Sequence, residues 1–313
     1  MTATARILVA CACVAAAACD GGGAGAGAAD ADVRRADADP ARADADLSQP
    51  DADPSRPDAA ALPPGRVFDH RHTDVSAIPA ACLAHLTSGE FVFHYAHRSH
   101  GSQIIVGAES IEQAAPQYAF AASYTSIPSE EGVFKMWDGM RDGNLVTPEQ
   151  YWASDAGLAE VRAILSANPS IRYSMWAWSF EISEQSEADV QRYLDAIDAL
   201  EAEFPNVTFI YMTGPAQGEY MAVNRFQRNE QIRAFAADRG KVLYDFGDLD
   251  AWSGGDRHTI DVGGTEVPIE HPDWSIDTPG HSEYEYTHTT RASCENKARA
   301  FWVMMAVLEG CAD

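Results

Sequence analysis

Four short runs, at 90–95 (EFVFHY), 172–178 (RYSMWAW), 207–212 (VTFIYM) and 241–246 (KVLYDF), are apolar or aromatic at nearly every position. A strand of that kind has no polar face to offer water, so both of its faces must be covered. The segments between and after these runs carry helical periodicity, at 158–167, 187–204, 224–239 and 294–308. The second of these places Val190, Leu194, Ile197 and Leu200 along one face. Strands alternating with helices of ten or more residues predict an α/β fold. We expect a mostly parallel central sheet with helices on both faces, the three layers of an α/β/α sandwich. Residues 120–124 are a further strand candidate, and Gly263-Gly264 suggests a short hairpin within an otherwise irregular stretch, 252–287.

The pattern begins only after residue 65. Residues 20–65 hold ten Asp against four Arg, no aromatic residue, and are dominated by Ala, Asp, Pro and Gly. Such a segment cannot bury enough apolar surface to offset its ordering entropy, so it reads as a disordered tether. Ahead of it, residues 1–19 join a mildly basic start to a small, apolar run ending Ala16-Ala17-Ala18-Cys19. The run is too short to span a membrane and fits a secretory signal. The small residues before Cys19 resemble a bacterial lipobox, in which the cysteine is lipidated; an ordinary cleaved signal is the alternative. The expected organisation is a signal (1–19), a tether (20–65) and a domain (66–313). It would be held at the cell envelope, outside the cytoplasm, by the lipid alone. Its oligomeric state is left open. After Cys19, Cys82, Cys294 and Cys311 remain. Cys294 and Cys311 flank a predicted helix about 25 Å long, so Cys82 pairs with one of them or nothing pairs. The net charge of −25 excludes nucleic acid and anionic lipid as partners.

In a parallel α/β sheet, ligands sit beyond the carboxyl ends of the strands. After the first strand comes His97-Arg98-Ser99-His100-Gly101-Ser102, with a helical stretch at 104–111. A serine in such a turn lies beside helix N–H groups able to stabilise an oxyanion. It is equally the residue type of a helix cap. Glu285-Tyr286-Thr287-His288 precedes the last helix, and an acid near a histidine can hold the imidazole as a base toward a serine. His281 with Asp277 is the rival base pair.

These blocks resemble the SGNH/GDSL hydrolases. The stretch 93–104 is similar to the serine block of a divergent bacterial branch, F-x-H-x-S-x-G-x-x-I. Met175-Trp176-Ala177-Trp178-Ser179, the residues 209–214, Val242-Leu243-Tyr244-Asp245-Phe246 and Cys294 through Trp302 extend the similarity over about 90–309. The resemblance implies an ester hydrolase needing no cofactor or metal, with Ser99 as nucleophile, His288 as base and Glu285 as its partner. Gly101, Ser179, Glu181 and Gly214 are the oxyanion or substrate candidates. The family's Gly-x-Asn-Asp block has no counterpart, and Gly139, Asn144 or Gln217 could supply the missing donor. The substrate expected is a small-molecule or glycan ester, with Trp252 and Trp274 as a rim. Two rivals stand beside this reading. One is a non-catalytic surface binding protein on the same fold. The other is a metal-dependent hydrolase using His94, His97 and His100, or His70, His72 and Asp74, with Asp256, His258 and Asp261.

Overall fold

The computed structural model describes residues 66–312, apart from 142 and 144; the signal, Cys19 and the tether lie outside the described residues. The burial expected of the apolar runs is realised. The strand β2 (Val92–His97) is buried at all six positions, and β5 (Ile171–Ala177) at every position except Arg172. They sit at the middle of a seven-stranded sheet with β1 (Val67–Phe68), β3 (Phe120–Ser123), β4 (Phe134–Asp138), β6 (Thr208–Met212) and β7 (Val242–Tyr244). The order is β1-β7-β6-β5-β2-β4-β3, and every neighbouring pair is parallel.

Helices cover both faces, giving the three layers. On one side lie α1 (Ala80–Leu86), α2 (Ser102–Ala114) and the long closing helix α8 (Arg291–Leu308). Phe301, Trp302 and Met305 of α8 pack there with Phe93 and Phe134 of the sheet. The other side is built by α3 (Pro148–Tyr151), α4 (Asp155–Ala167), α5 (Glu187–Glu203) and α6 (Ala222–Arg239). Val161, Ile164, Val190, Leu194, Ile197 and Ile232 meet Trp176 and Phe209 in that layer. The short α7 (Phe246–Ala251) follows β7. From β2 the chain runs outward to β3, returns to β4, then crosses β2 to reach β5 and continues through β6 and β7. Its direction of travel reverses between β2 and β5, and their following helices α2 and α5 lie on opposite faces. That divergence makes the carboxyl ends of these two strands the topological switch point of the sheet, where ligands of such folds bind.

Several short elements escape the sequence pattern, among them β1, β4 and α1. β1 pairs through two residues only, β4 follows a polar loop that disguises it, and α1 is too short to show periodicity. The suggested hairpin is present as β10 (Thr259–Val262) and β11 (Thr265–Pro268), turning through Gly263 and Gly264 at φ 63° and 87°. It follows a smaller antiparallel pair, β8 (Trp252–Ser253) with β9 (Asp256–Arg257). Cys82 pairs with Cys311, tying α1 to the end of the chain, and Cys294 is a buried free thiol. No described helix is long and apolar enough to cross a membrane.

Gly107 sets how closely α2 approaches α8. A Cβ there would stand 2.1 Å from the Cys294 carbonyl oxygen, a backbone atom that cannot swing aside. Gly107→Ala should therefore destabilise the domain by about 1–3 kcal/mol despite alanine's better helix propensity. Urea unfolding checks this; an unchanged or raised midpoint would mean that α8 tolerates the displacement.

Candidate functional site

Beyond the carboxyl ends of β2 and β5 lies a chain of polar side chains whose hydrogen-bond directions can be deduced in sequence. The backbone carbonyl of His288 can only accept, and it takes a hydrogen bond from Nε2 of Gln217 at 2.6 Å. This orients the amide, so Gln217 Oε1 is the atom facing His100 Nε2 at 2.5 Å, and that nitrogen must carry a proton. Burial pushes the His100 pKa down to about 4, with a smaller contribution from His288 beside it, so the ring is neutral at pH 7. Its other nitrogen, Nδ1, is then a bare acceptor and takes the hydroxyl hydrogen of Ser179 at 2.6 Å. The Ser179 oxygen in turn accepts from Ser99 Oγ at 3.0 Å. The only proton order consistent with all four contacts runs Ser99 to Ser179 to His100.

The members are held by three strand ends and the segment before α8, with Ser99 and His100 sharing the turn after β2. Ser99 opens a single 3-10 turn, Ser99–Gly101, between β2 and α2. Tyr95 donates to the Gly101 carbonyl and Ser102 Oγ to the Ser99 carbonyl, which ties the turn down. Ser179 follows β5. Gln217 lies on the loop after β6, where the buried Arg225 guanidinium donates to the carbonyls of Ala216, Gly218 and Tyr220. The fourth wall is the segment before α8. There Thr289 donates to the buried Glu270, whose carboxyl is pushed up to about 7 by burial and by nearby Asp250. Lys297, wholly buried, pairs with Asp250 at 2.7 Å.

The expected residues fare differently. The ring of His288 stacks on His100 with 4.9 Å between centroids, and no hydrogen bond joins it to Ser99 among the described residues. Its carboxylate neighbour is Glu283, which accepts from the His288 N–H at 2.7 Å and lies 3.6 Å from Nδ1. Glu285 does not take the partner role expected of it. Glu285, Tyr286 and His288 all adopt left-handed φ angles, and the winding segment leaves Glu285 exposed and unbonded. Ser179 is in the site. Glu181 sits beside it, accepting the Ser179 N–H at 3.2 Å, and burial pushes its carboxyl up.

Gly101 and Gly214 do not serve as free donors. The Gly101 N–H is spent on the Arg98 carbonyl, and a Cβ at this position would strike His97 at 2.3 Å. The Gly214 N–H goes to Asn229, whose side chain also donates back to the Gly214 carbonyl. Both glycines answer a packing need. The N–H of Gly139 is likewise taken, by the Tyr95 carbonyl. Gln217 is engaged as described, and Asn144 lies outside the described residues.

The rival constellations separate. His281 bonds to the Ser275 carbonyl and is not joined to Asp277, whose own N–H takes Ser275 Oγ. His94 points into one layer, bonding Ser174 and the Gly139 carbonyl, whereas His97 stacks on Tyr95 in the other, so His94, His97 and His100 do not converge. His70 meets Asp69 and Asp248, with one ligand atom from each within 4.8 Å of the others, instead of the expected His72 and Asp74. Those carboxylates are already engaged: Asp248 accepts from the His70 backbone N–H and lies against its ring nitrogen, and Asp69 accepts from Arg71 while its backbone N–H donates to His72 Nδ1. Asp256 and Asp261 are exposed, while the His258 ring bonds the Glu270 carbonyl, so these three do not gather into a ligand set. Trp252 stacks on His70 and receives a bond from Trp274 Nε1, and both line a cleft with Asn296.

Sequence reasoning gave His100 a metal-ligand role, took Ser179 and Gln217 as oxyanion or substrate donors, and missed Glu283. His100 stood next to Ser99 and was available to it, but its burial and the intervening Ser179 have no sequence signature. Comparison with known proteins adds little: no family model and no curated protein matches the chain. Among solved structures, the tail-truncated TubZ of Clostridium botulinum phage c-st is similar at 10% identity and a TM-score of 0.30. The match covers 51% of this chain and 55% of that one.

The low pKa values of two buried histidines make stability depend on pH. His94 and His100 are both depressed to about 4, against about 6.5 in the unfolded chain. The unfolded state binds more protons between those values, so their contribution is complete above about 6.5 and is lost as pH falls through about 4. Each group removes up to about 1.4 kcal/mol per pH unit within that window. Urea unfolding at pH 7, 5.5 and 4.5 should show a steadily falling midpoint. A flat profile would mean that neither ring is held neutral.

Proposed function

We propose that this chain is a serine ester hydrolase acting on neutral acyl esters, small or glycan-borne, at the cell envelope. The observation that carries the reading is the directed chain Ser99–Ser179–His100 at the switch point where the sheet reverses direction. Ser99 Oγ attacks the ester carbonyl carbon while its proton moves to Ser179 and the Ser179 proton moves to His100 Nδ1. The tetrahedral oxyanion collapses and the departing alkoxide takes the proton back along the same path. Water then repeats the sequence on the acyl-enzyme and releases the acid. The first N–H groups of the turn, those of Ser99 and His100, have no acceptor within it and suit the oxyanion. His288, stacked on His100 and partnered by Glu283, stands on the substrate side as a second imidazole. The resemblance of 90–309 to SGNH/GDSL hydrolases and the lipobox at Cys19 support the activity class and the location respectively. The domain, net −20 over 66–313, favours an uncharged substrate.

A non-catalytic binding protein on the same scaffold is the second reading. It is favoured by the engaged backbone donors: those of Gly101, Ser179, Gly214 and Gly139 all have acceptors within the protein.

The test is hydrolysis of p-nitrophenyl acetate and of an O-acetylated sugar by the purified protein. Ser99→Ala should abolish turnover, and Ser179→Ala and His100→Gln should each lower kcat by about 100-fold or more. Wild-type activity should also fall as pH drops through about 4, where His100 gains a proton. Ser99→Ala as active as the wild type would reject the mechanism. Sugar binding without any turnover would favour the second reading. A larger loss in His288→Gln than in His100→Gln would transfer the base to His288.

A further inference from the structure

His97 lies two residues before Ser99, is completely buried, and takes no part in the proton chain. Its Nδ1 stands 2.6 Å from the Arg98 carbonyl oxygen, which can only accept, so Nδ1 carries a proton. Its Nε2 stands 2.7 Å from Asp138 Oδ1, off the line of the ring N–H, and neither atom has another partner. Were Nε2 and the carboxylate both unprotonated, a ring nitrogen and a carboxylate oxygen would stand 2.7 Å apart with no proton between them and no water to screen them. The Tyr95 phenol stacks on the ring and the Gly101 backbone lies against it. No second cation is bonded to Asp138 among the described residues.

We propose that His97 is a buried imidazolium, paired with Asp138, that acts as a positioning residue for the Ser99 turn. The inference rests on the hydrolase reading for its catalytic consequence, though not for its charge state. The strands make the pair: His97 ends β2 and Asp138 ends the neighbouring β4. The Arg98 carbonyl receives both the His97 ring N–H and the Gly101 N–H at 2.9 Å, so the imidazolium and the turn share one acceptor. That carbonyl belongs to the peptide unit leading into Ser99, so fixing it fixes where Ser99 starts. The absence of a side chain at Gly101 is what lets the turn fold back onto the His97 ring, since a Cβ would stand 2.3 Å from His97 Cβ. Asp138 pulls the His97 pKa above its ordinary value, against the effect of burial.

The experiment labels the full chain with 15N-histidine and follows the His97 ring by NMR from pH 5 to 9, in the wild type and in Asp138→Asn. The expected wild-type ring has both nitrogens protonated well above pH 7. In Asp138→Asn, Nε2 loses its proton near or below neutrality, and the Gly101 amide exchanges with solvent at least about tenfold faster. Turnover of p-nitrophenyl acetate falls about 100-fold in kcat with KM nearly unchanged, as displacement of a reacting group by about 1 Å would cause. An unprotonated Nε2 in the wild type at pH 6 would overturn the proposal, because the pair would then be neutral with the proton on Asp138. So would Asp138→Asn with a deprotonated ring and unchanged Gly101 exchange. A doubly protonated ring and a protected turn in a protein that hydrolyses no ester would uphold the positioning role and reject the hydrolase reading. Should Asp138→Asn not fold, the wild-type titration alone decides the charge state.

Discussion

The pairing of β2 with β5 is the constraint on which the rest of the molecule depends. Both strands are buried on both faces, so the chain can place polar chemistry only where they end. The sheet reverses its direction of winding between them, and helices α2 and α5 leave toward opposite faces. Ser99 and Ser179 therefore emerge side by side from strands whose sequence positions differ by 80 residues. The hydroxyl pair is a consequence of strand order and needs no special loop.

Around that pair, a small number of groups that can only accept fix the direction of every proton. The His288 carbonyl orients Gln217, Gln217 sets the His100 tautomer, and the tautomer makes Ser179 a donor and Ser99 its donor in turn. On the sheet side the Arg98 carbonyl does the same for His97. The two histidines flanking Ser99 are thus pushed in opposite directions by their surroundings: burial lowers the pKa of His100, to which no carboxylate is bonded among the described residues, and Asp138 raises that of His97. Environments that push neighbouring titratable groups apart in this way are what acid–base chemistry requires. The supporting layer is polar as well. Arg225 under Gln217, and Glu270 under Thr289, brace loops that would otherwise have few buried contacts.

Much of this was legible in the sequence. The apolar runs that became β2, β5, β6 and β7 declared a sheet covered on both faces, and the helices between them declared parallel connections. The turn at Ser99 and the strand end at Ser179 followed from where such sheets place their ligands. Other features had no local signature. β4 is five residues after a polar loop, yet it supplies Asp138. Glu283, not Glu285, reaches His288 because three residues of that segment take left-handed φ angles, which an acid-x-x-His spacing cannot reveal. His100 was legible as a residue but not as a base, since its neutrality comes from burial and its tautomer from Gln217, 117 positions away. Gly101 and Gly214 looked like backbone donors, and only the packing against His97 and Ile182 shows that they are spaces kept empty for neighbours.

The central claim is that the Ser99 hydroxyl is activated through Ser179 and His100. Its most direct test is labelling of the protein with a fluorophosphonate, which adds only to serines whose hydroxyl can be deprotonated in place, followed by peptide mass spectrometry. The account requires one stoichiometric adduct on Ser99, absent from Ser99→Ala and slowed at least about 100-fold in His100→Gln. No adduct on the wild type, or one on Ser99 that forms equally fast in His100→Gln, would contradict it.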